Sequence, residues 1–250
     1  MQSKKAAAPP SIRRHQGLGG FTLASALAGA TMLAAVPVHA APVLYEAVLA
    51  PLSNSGVSGL ARLSQDGNLL TVNITASGLT PDQVHVQHIH GPSDEAGNPV
   101  GAMTPTLAQD LDGDRFIELA EGARTYGPII LNLDAPPGSG QFPTAPNGMV
   151  NFTQIYDLSN SPAFVAGFTS ADLLPLTLRE IVLHGELLTS QTGLGFGPGE
   201  ADGTPGYKAV LPVASGEIRA VAVPEPASVV LFGTGLLGLG LVWRQRARQG

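Results

Sequence analysis

The sequence predicts an all-β domain, an antiparallel sandwich or barrel, framed by two targeting segments. Three observations carry that reading. Apolar residues alternate at period two along short runs. Glycine and proline, 31 and 21 of 250 residues, separate the runs. Charged residues make up only 13% of the chain, too few for long salt-bridged helices.

The clearest run holds Leu70, Val72 and Ile74 on one strand face and Thr71, Asn73 and Thr75 on the other. Asp66-Gly67-Asn68 just ahead is a hairpin-turn signal, which pairs 59–63 with 69–75. Further strands are expected at 43–49, 84–90, 115–119, 129–133, 149–156, 181–187 and 207–221, the last broken at Pro212. Residues 135–148 and 192–206 read as loops, and 170–174 as one helical turn before Pro175. Ser139 sits between two glycines in the first of these loops. It lacks the strand–turn–helix setting of a hydrolase nucleophile and reads as linker.

Both ends carry export signals. Residues 1–40 combine a basic start (Lys4, Lys5, Arg13, Arg14), an apolar run over 18–36 and the small-residue cleavage site Val38-His39-Ala40. That is a signal peptide, which implies handling by the Sec translocon and signal peptidase. At the other end, Pro224-Glu225-Pro226 precedes an apolar, glycine-rich helix over 229–243 and the basic cluster Arg244, Arg246 and Arg248. The helix is short for a bilayer, and its basic flank keeps that end in the cytoplasm, which places residues 41–222 outside. This tripartite tail, 223–250, resembles the PEP-CTERM sorting signal of Gram-negative bacteria. The resemblance implies processing by an exosortase near the Pro-Glu-Pro block, with the body anchored in the inner membrane first and released to the surface or extracellular matrix afterwards. Exopolysaccharide is the partner such a setting suggests.

Between the signals, residues 41–222 hold 18 acids and 6 bases, a net of −12. Such a body repels nucleic acid and anionic lipid. The absence of cysteine removes disulfides and thiolate chemistry, so stability rests on burial.

Two further resemblances concern the body. The strand pair 59–74, then Ser77-Gly78-Leu79, then His88-Ile89-His90-Gly91-Pro92 resemble the CHRD (chordin-like) domain over roughly 44–188. That resemblance implies an immunoglobulin-like sandwich and no settled activity. Arg179-Glu180-Ile181-Val182-Leu183-His184-Gly185, a glycine-rich loop, Gly206-Tyr207-Lys208 and Ala214-Ser215-Gly216-Glu217-Ile218 resemble the C-terminal third of copper/zinc superoxide dismutases, and His88-x-His90 resembles that family's paired copper ligands. This implies a Greek-key sandwich or barrel.

Four histidines fall in the body: His85, His88, His90 and His184. Strand parity puts His88 and His90 on one face, about 6–7 Å apart, and His85 on the other. With His184 on a neighbouring strand, as the dismutase resemblance implies, the three form a candidate copper or zinc site, with water or Glu186 in a fourth position. Proton competition is expected to weaken binding as pH falls through about 6.5. No histidine lies between His90 and His184 to supply the dismutase bridging and zinc ligands. The departures favour a non-enzymatic surface module of unassigned activity; the alternative is a copper- or zinc-binding metalloprotein of dismutase-like fold using the three histidines, a dismutase-like metalloenzyme if it is an enzyme at all. Asp110-Leu111-Asp112-Gly113-Asp114, with Glu118 beyond, has the outline of a calcium loop, but its glycine comes too early. It reads as a turn before the strand at 115–119.

Overall fold

A computed structural model describes residues 40–222, together with the single positions 244 and 248. The expected signal peptide, the Pro224-Glu225-Pro226 block, the apolar run 229–243 and Arg246 lie outside the described residues. Among the described residues no helix is long and apolar enough to cross a membrane.

The described residues form nine strands in chain order: β1 (Val43–Pro51), β2 (Ser58–Asp66), β3 (Leu69–Ser77), β4 (Gln87–His90), β5 (Ile129–Asn132), β6 (Met149–Asp157), β7 (Glu180–Leu188), β8 (Gly206–Glu217) and β9 (Arg219–Ala220). Two α-helices interrupt them, α1 (Leu119–Tyr126) and α2 (Ser170–Leu173), with short 3-10 turns at Pro146–Gly148 and Leu176–Leu178. The strands form one antiparallel sheet in the order β5-β4-β7-β8-β1-β2-β3-β6, with β9 also on β1. It curls into a sandwich-like half-barrel. The fold turns on β1, which pairs with β2 over Val43–Leu49 and then with β8 at Ala50 and Pro51.

The alternation read from the sequence decides which face is buried. Ala47 and Leu49, Ala61 and Leu63, Leu70, Val72 and Ile74, and Val150, Phe152 and Tyr156 point inward from one half. Ile89, Leu131, Ile181, Leu183 and Val213 meet them from the other. The hairpin turn lies where expected: Asp66 pairs with Leu69, and Gly67 takes φ 57°, a left-handed backbone that glycine adopts without steric cost.

Three expectations are corrected. Residues 115–119 are not a strand. Phe116 and Ile117 are buried in a loop, and the chain enters α1 at Leu119 through a capping box in which Glu118 and Glu121 each satisfy the other's backbone N–H. The strand expected over 84–90 forms only at Gln87–His90; Val84 makes an isolated bridge to Thr144. β8 does not break at Pro212. The missing N–H is absorbed at a bulge, where Leu183 pairs with Ala214 but His184 with Pro212, and the strand ends only at Glu217. The helical turn expected at 170–174 is α2, capped by Thr169 and Asp172.

Candidate metal centre

In β4, Ile89 enters the core, and His88 and His90 face the opposite side of the sheet. β7 runs alongside, with Val182 opposite His88 and Glu180 opposite His90. Two residues further on, the N–H of His184 donates to the carbonyl of Val86 at 2.9 Å. His184 thereby joins the other two histidines. The ring centroids lie 5.6 Å apart for His88–His90, 5.2 Å for His88–His184 and 6.0 Å for His90–His184. The three residues are 6%, 2% and 1% exposed. Tyr126, from the end of α1, places its ring 4.6 Å from His90, and Phe142 sits edge-on to His88 at 5.5 Å.

Backbone carbonyls set the tautomers. His90 Nδ1 donates to the Gly127 carbonyl at 3.0 Å, and His184 Nδ1 to the Val210 carbonyl at 2.7 Å. Each Nε2 therefore keeps its lone pair. His90 Nε2 is buried without a partner, and His184 Nε2 lies 3.4 Å from His88 Nδ1. Imidazoles held by one nitrogen with the other free are arranged as metal ligands are. One ligand nitrogen from each ring lies within 4.8 Å of the other two. An ion bonded at about 2.0–2.1 Å needs spacings of roughly 3.3–3.6 Å. The His88–His184 pair already has that spacing at 3.4 Å, so closing the site rests on the approach of His90.

Burial keeps the rings neutral. Desolvation, with the neighbouring His184 and His90, pushes His88 down to about 2. Desolvation and His184 push His90 to about 3 against the opposing pull of the Gly127 carbonyl. Burial takes His184 to about 4 against the Val210 carbonyl. A neutral imidazole is the form that coordinates.

Two expected details change. His85 is excluded from the trio, but not by strand parity, because it precedes β4. Its ring is held between the carbonyls of Thr80 and His184, each 2.9 Å from a ring nitrogen. Glu186 does not join the three-histidine group. A bulge at Gly185 (φ 108°) separates it from His184, and burial raises its carboxyl to about 7.

The Asp110, Asp112 and Asp114 carboxylates approach within 4.8 Å of one another. Their bonds are to backbone: Asp110 accepts from Gly113 and Arg115, and Asp114 from Phe116 and Phe196. They shape the turn read from the sequence, although it leads into α1. Ser139 lies in a loop whose Gly138 and Gly140 N–H groups donate to Asp134, the bracing expected of a connector.

Sequence reading missed the groups that surround the trio: Tyr126, Gly127, Phe142 and Val210. The capping-box pair Glu118 and Glu121 was the available signal for α1, the helix that delivers Tyr126 and Gly127.

Comparison with known proteins bears on the tail. Residues 222–247 match the PEP-CTERM protein-sorting motif. No curated protein matches the chain. The PEP-CTERM match begins where the folded body ends, and it indicates exosortase-type sorting: export, a membrane-anchored C-terminal signal, then the cell surface. It says where the body goes and nothing of its chemistry.

Proposed function

We propose that the chain is an exported cell-surface protein whose body, residues 41–222, binds one copper or zinc ion through His88, His90 and His184. The observation that carries this is the convergence of three buried, neutral imidazoles, two of them oriented by backbone carbonyls and one with an unpartnered Nε2. A donor set of three nitrogens suits either ion. The CHRD-like and dismutase-like residues support a Greek-key or immunoglobulin-like sandwich with this ligand trio. Rings only 1–6% exposed leave little access for a substrate, which favours binding over turnover. The ion's role would be structural or protective in the envelope or exopolysaccharide matrix.

Elemental analysis of the protein recovered from its native host tests the reading. About one equivalent of copper or zinc per chain is expected, and a variant with all three histidines replaced by alanine should hold none. Wild-type protein holding less than a tenth of an equivalent after reloading would sink it.

Acid release gives a second test. Burial moves the window below the 6.5 expected for free imidazole, so the ion should stay bound at pH 5.5 and leave only near pH 4 and below. The fold must be followed in parallel. The unfolded chain takes up protons below about 6.5 that the folded imidazoles refuse, so these histidines cost stability as pH falls. Glu180 and Glu186, both raised to about 7 by burial, act in the opposite sense between about 7 and 4.5. Circular dichroism unchanged at pH 5.5 together with complete metal loss would contradict the expected window.

The tail predicts processing. Mass spectrometry of mature protein should find chains ending near Pro226 and lacking residues 229–250. Replacing Pro224, Glu225 and Pro226 with alanine should preserve the tail. An intact C-terminus on most wild-type molecules would count against exosortase cleavage.

A further inference from the structure

Among the described residues β6 ends the strand order and pairs only with β3. Its backbone orientation can be read from two side-chain bonds. The Phe152 carbonyl accepts from Asn73 Nδ2 of β3 at 3.1 Å, and the Ile155 carbonyl accepts from the amide of Gln154 at 2.9 Å. Successive residues of a strand turn their backbone groups to opposite sides. The N–H and C=O of Asn151, Thr153 and Ile155 therefore face away from β3. Among the described residues only the Gln154 amide reaches any of them.

Natural edge strands block unwanted pairing with lysine, proline, bulges or short length. β6 has none of these. It runs nine residues in unbroken register against β3, without Lys, Arg or Pro, and its one charge is Asp157 at the very end. On its solvent face Met149 is 56% and Ile155 54% exposed.

We propose that β6 pairs antiparallel with β6 of a second copy of this chain, joining the two sheets edge to edge about a two-fold axis at Thr153. The sequence of β6 is self-complementary in that register. Thr153 faces Thr153 of the partner subunit, Asn151 faces Ile155 of the partner subunit, and Met149 faces Asp157 of the partner subunit. No two charges meet, and the threonine pair is favourable across strands. The contact is isologous and closes at two copies. The body's net −12 opposes association, but at physiological salt charges separated by more than about 8 Å are largely screened, and β6 carries a single acid. The Gln154 amide gives up the Ile155 carbonyl to the incoming strand.

Cysteine cross-linking reads this directly, because the chain has no cysteine of its own. In a hydrogen-bonded antiparallel pair, facing Cα atoms lie about 5.5 Å apart, within disulfide range. In the full chain in mild detergent, Thr153→Cys should oxidise mostly to a covalent dimer. Thr75→Cys, exposed on the same face but on the interior strand β3, should stay monomeric. An equal mixture of Asn151→Cys and Ile155→Cys chains should cross-link more than either alone. Without oxidation, Thr153→Lys should lower the sedimentation mass from two chains to one while circular dichroism is unchanged. Thr153→Cys cross-linking no better than Thr75→Cys, or a two-chain mass that survives Thr153→Lys, would overturn the proposal.

Discussion

Arg179→Met is expected to leave the body unfolded, or weaker by about 4 kcal/mol or more in urea melts. Arg179 is 1% exposed, and its guanidinium donates to five backbone carbonyls. Nε reaches Leu173 at 3.0 Å. Nη1 reaches Leu178 at 3.1 Å, Val100 at 3.2 Å and Pro92 at 3.4 Å, and Nη2 reaches Asp172. Those carbonyls belong to the loop after β4, to α2 and to the turn before β7, so one side chain ties three segments that share no strand pairing. Methionine fills much of the space but donates nothing. It would leave several buried acceptors unsatisfied, each costing about 1–3 kcal/mol where water cannot reach. The sum is comparable with the whole 5–15 kcal/mol that holds a typical domain. Arg179→Lys keeps the charge but offers only three donors from a single point, so it should recover only part of the loss. An Arg179→Met midpoint equal to wild type would mean that these carbonyls find other donors and that the loop needs no clamp.

Metal should stabilise the body by a comparable amount. With free zinc at about a thousand times its dissociation constant, binding to the folded state alone adds about 4 kcal/mol. For a domain of this size that is a rise of roughly 10 °C in melting temperature. In His184→Ala the rise should vanish. Comparing each variant with and without ion separates this effect from the stability lost when the Val210 carbonyl loses its donor. Asp112→Asn, in the acidic turn, should keep the full rise. If His184→Ala retained it, the ion would be held elsewhere and the three-histidine reading would fall. If Asp112→Asn lost it, the acidic turn would be the site.

Much of this was legible from residues a few positions apart. The alternation over 70–75 and the Gly67 turn determined the β2–β3 hairpin and which side chains enter the core. The spacing of His88 and His90 determined that they share a face. The order of Pro-Glu-Pro, apolar run and basic cluster determined the sorting tail. Such features depend on the two-residue period of a strand or on linear motif order, and no distant contact is needed to read them. The misreadings share a cause. Residues 115–119 look strand-like because Phe116 and Ile117 are apolar, but tertiary packing buries both in a loop and the local capping box starts a helix. The burial of Arg179 and Glu180, the arginine on backbone carbonyls and the glutamate on Thr104, is likewise a product of tertiary packing. Only the tertiary structure decided that β7 lies beside β4, in a register that carries His184 to within 3.4 Å of His88 across 96 residues of chain. That choice belongs to the shared core, where Ile89, Ile181 and Leu183 bury together, and to the bulge at Gly185 that parts Glu186 from the histidines. Local periodicity sets which face a side chain takes. Which strand becomes its neighbour is set by burial summed over the whole sheet.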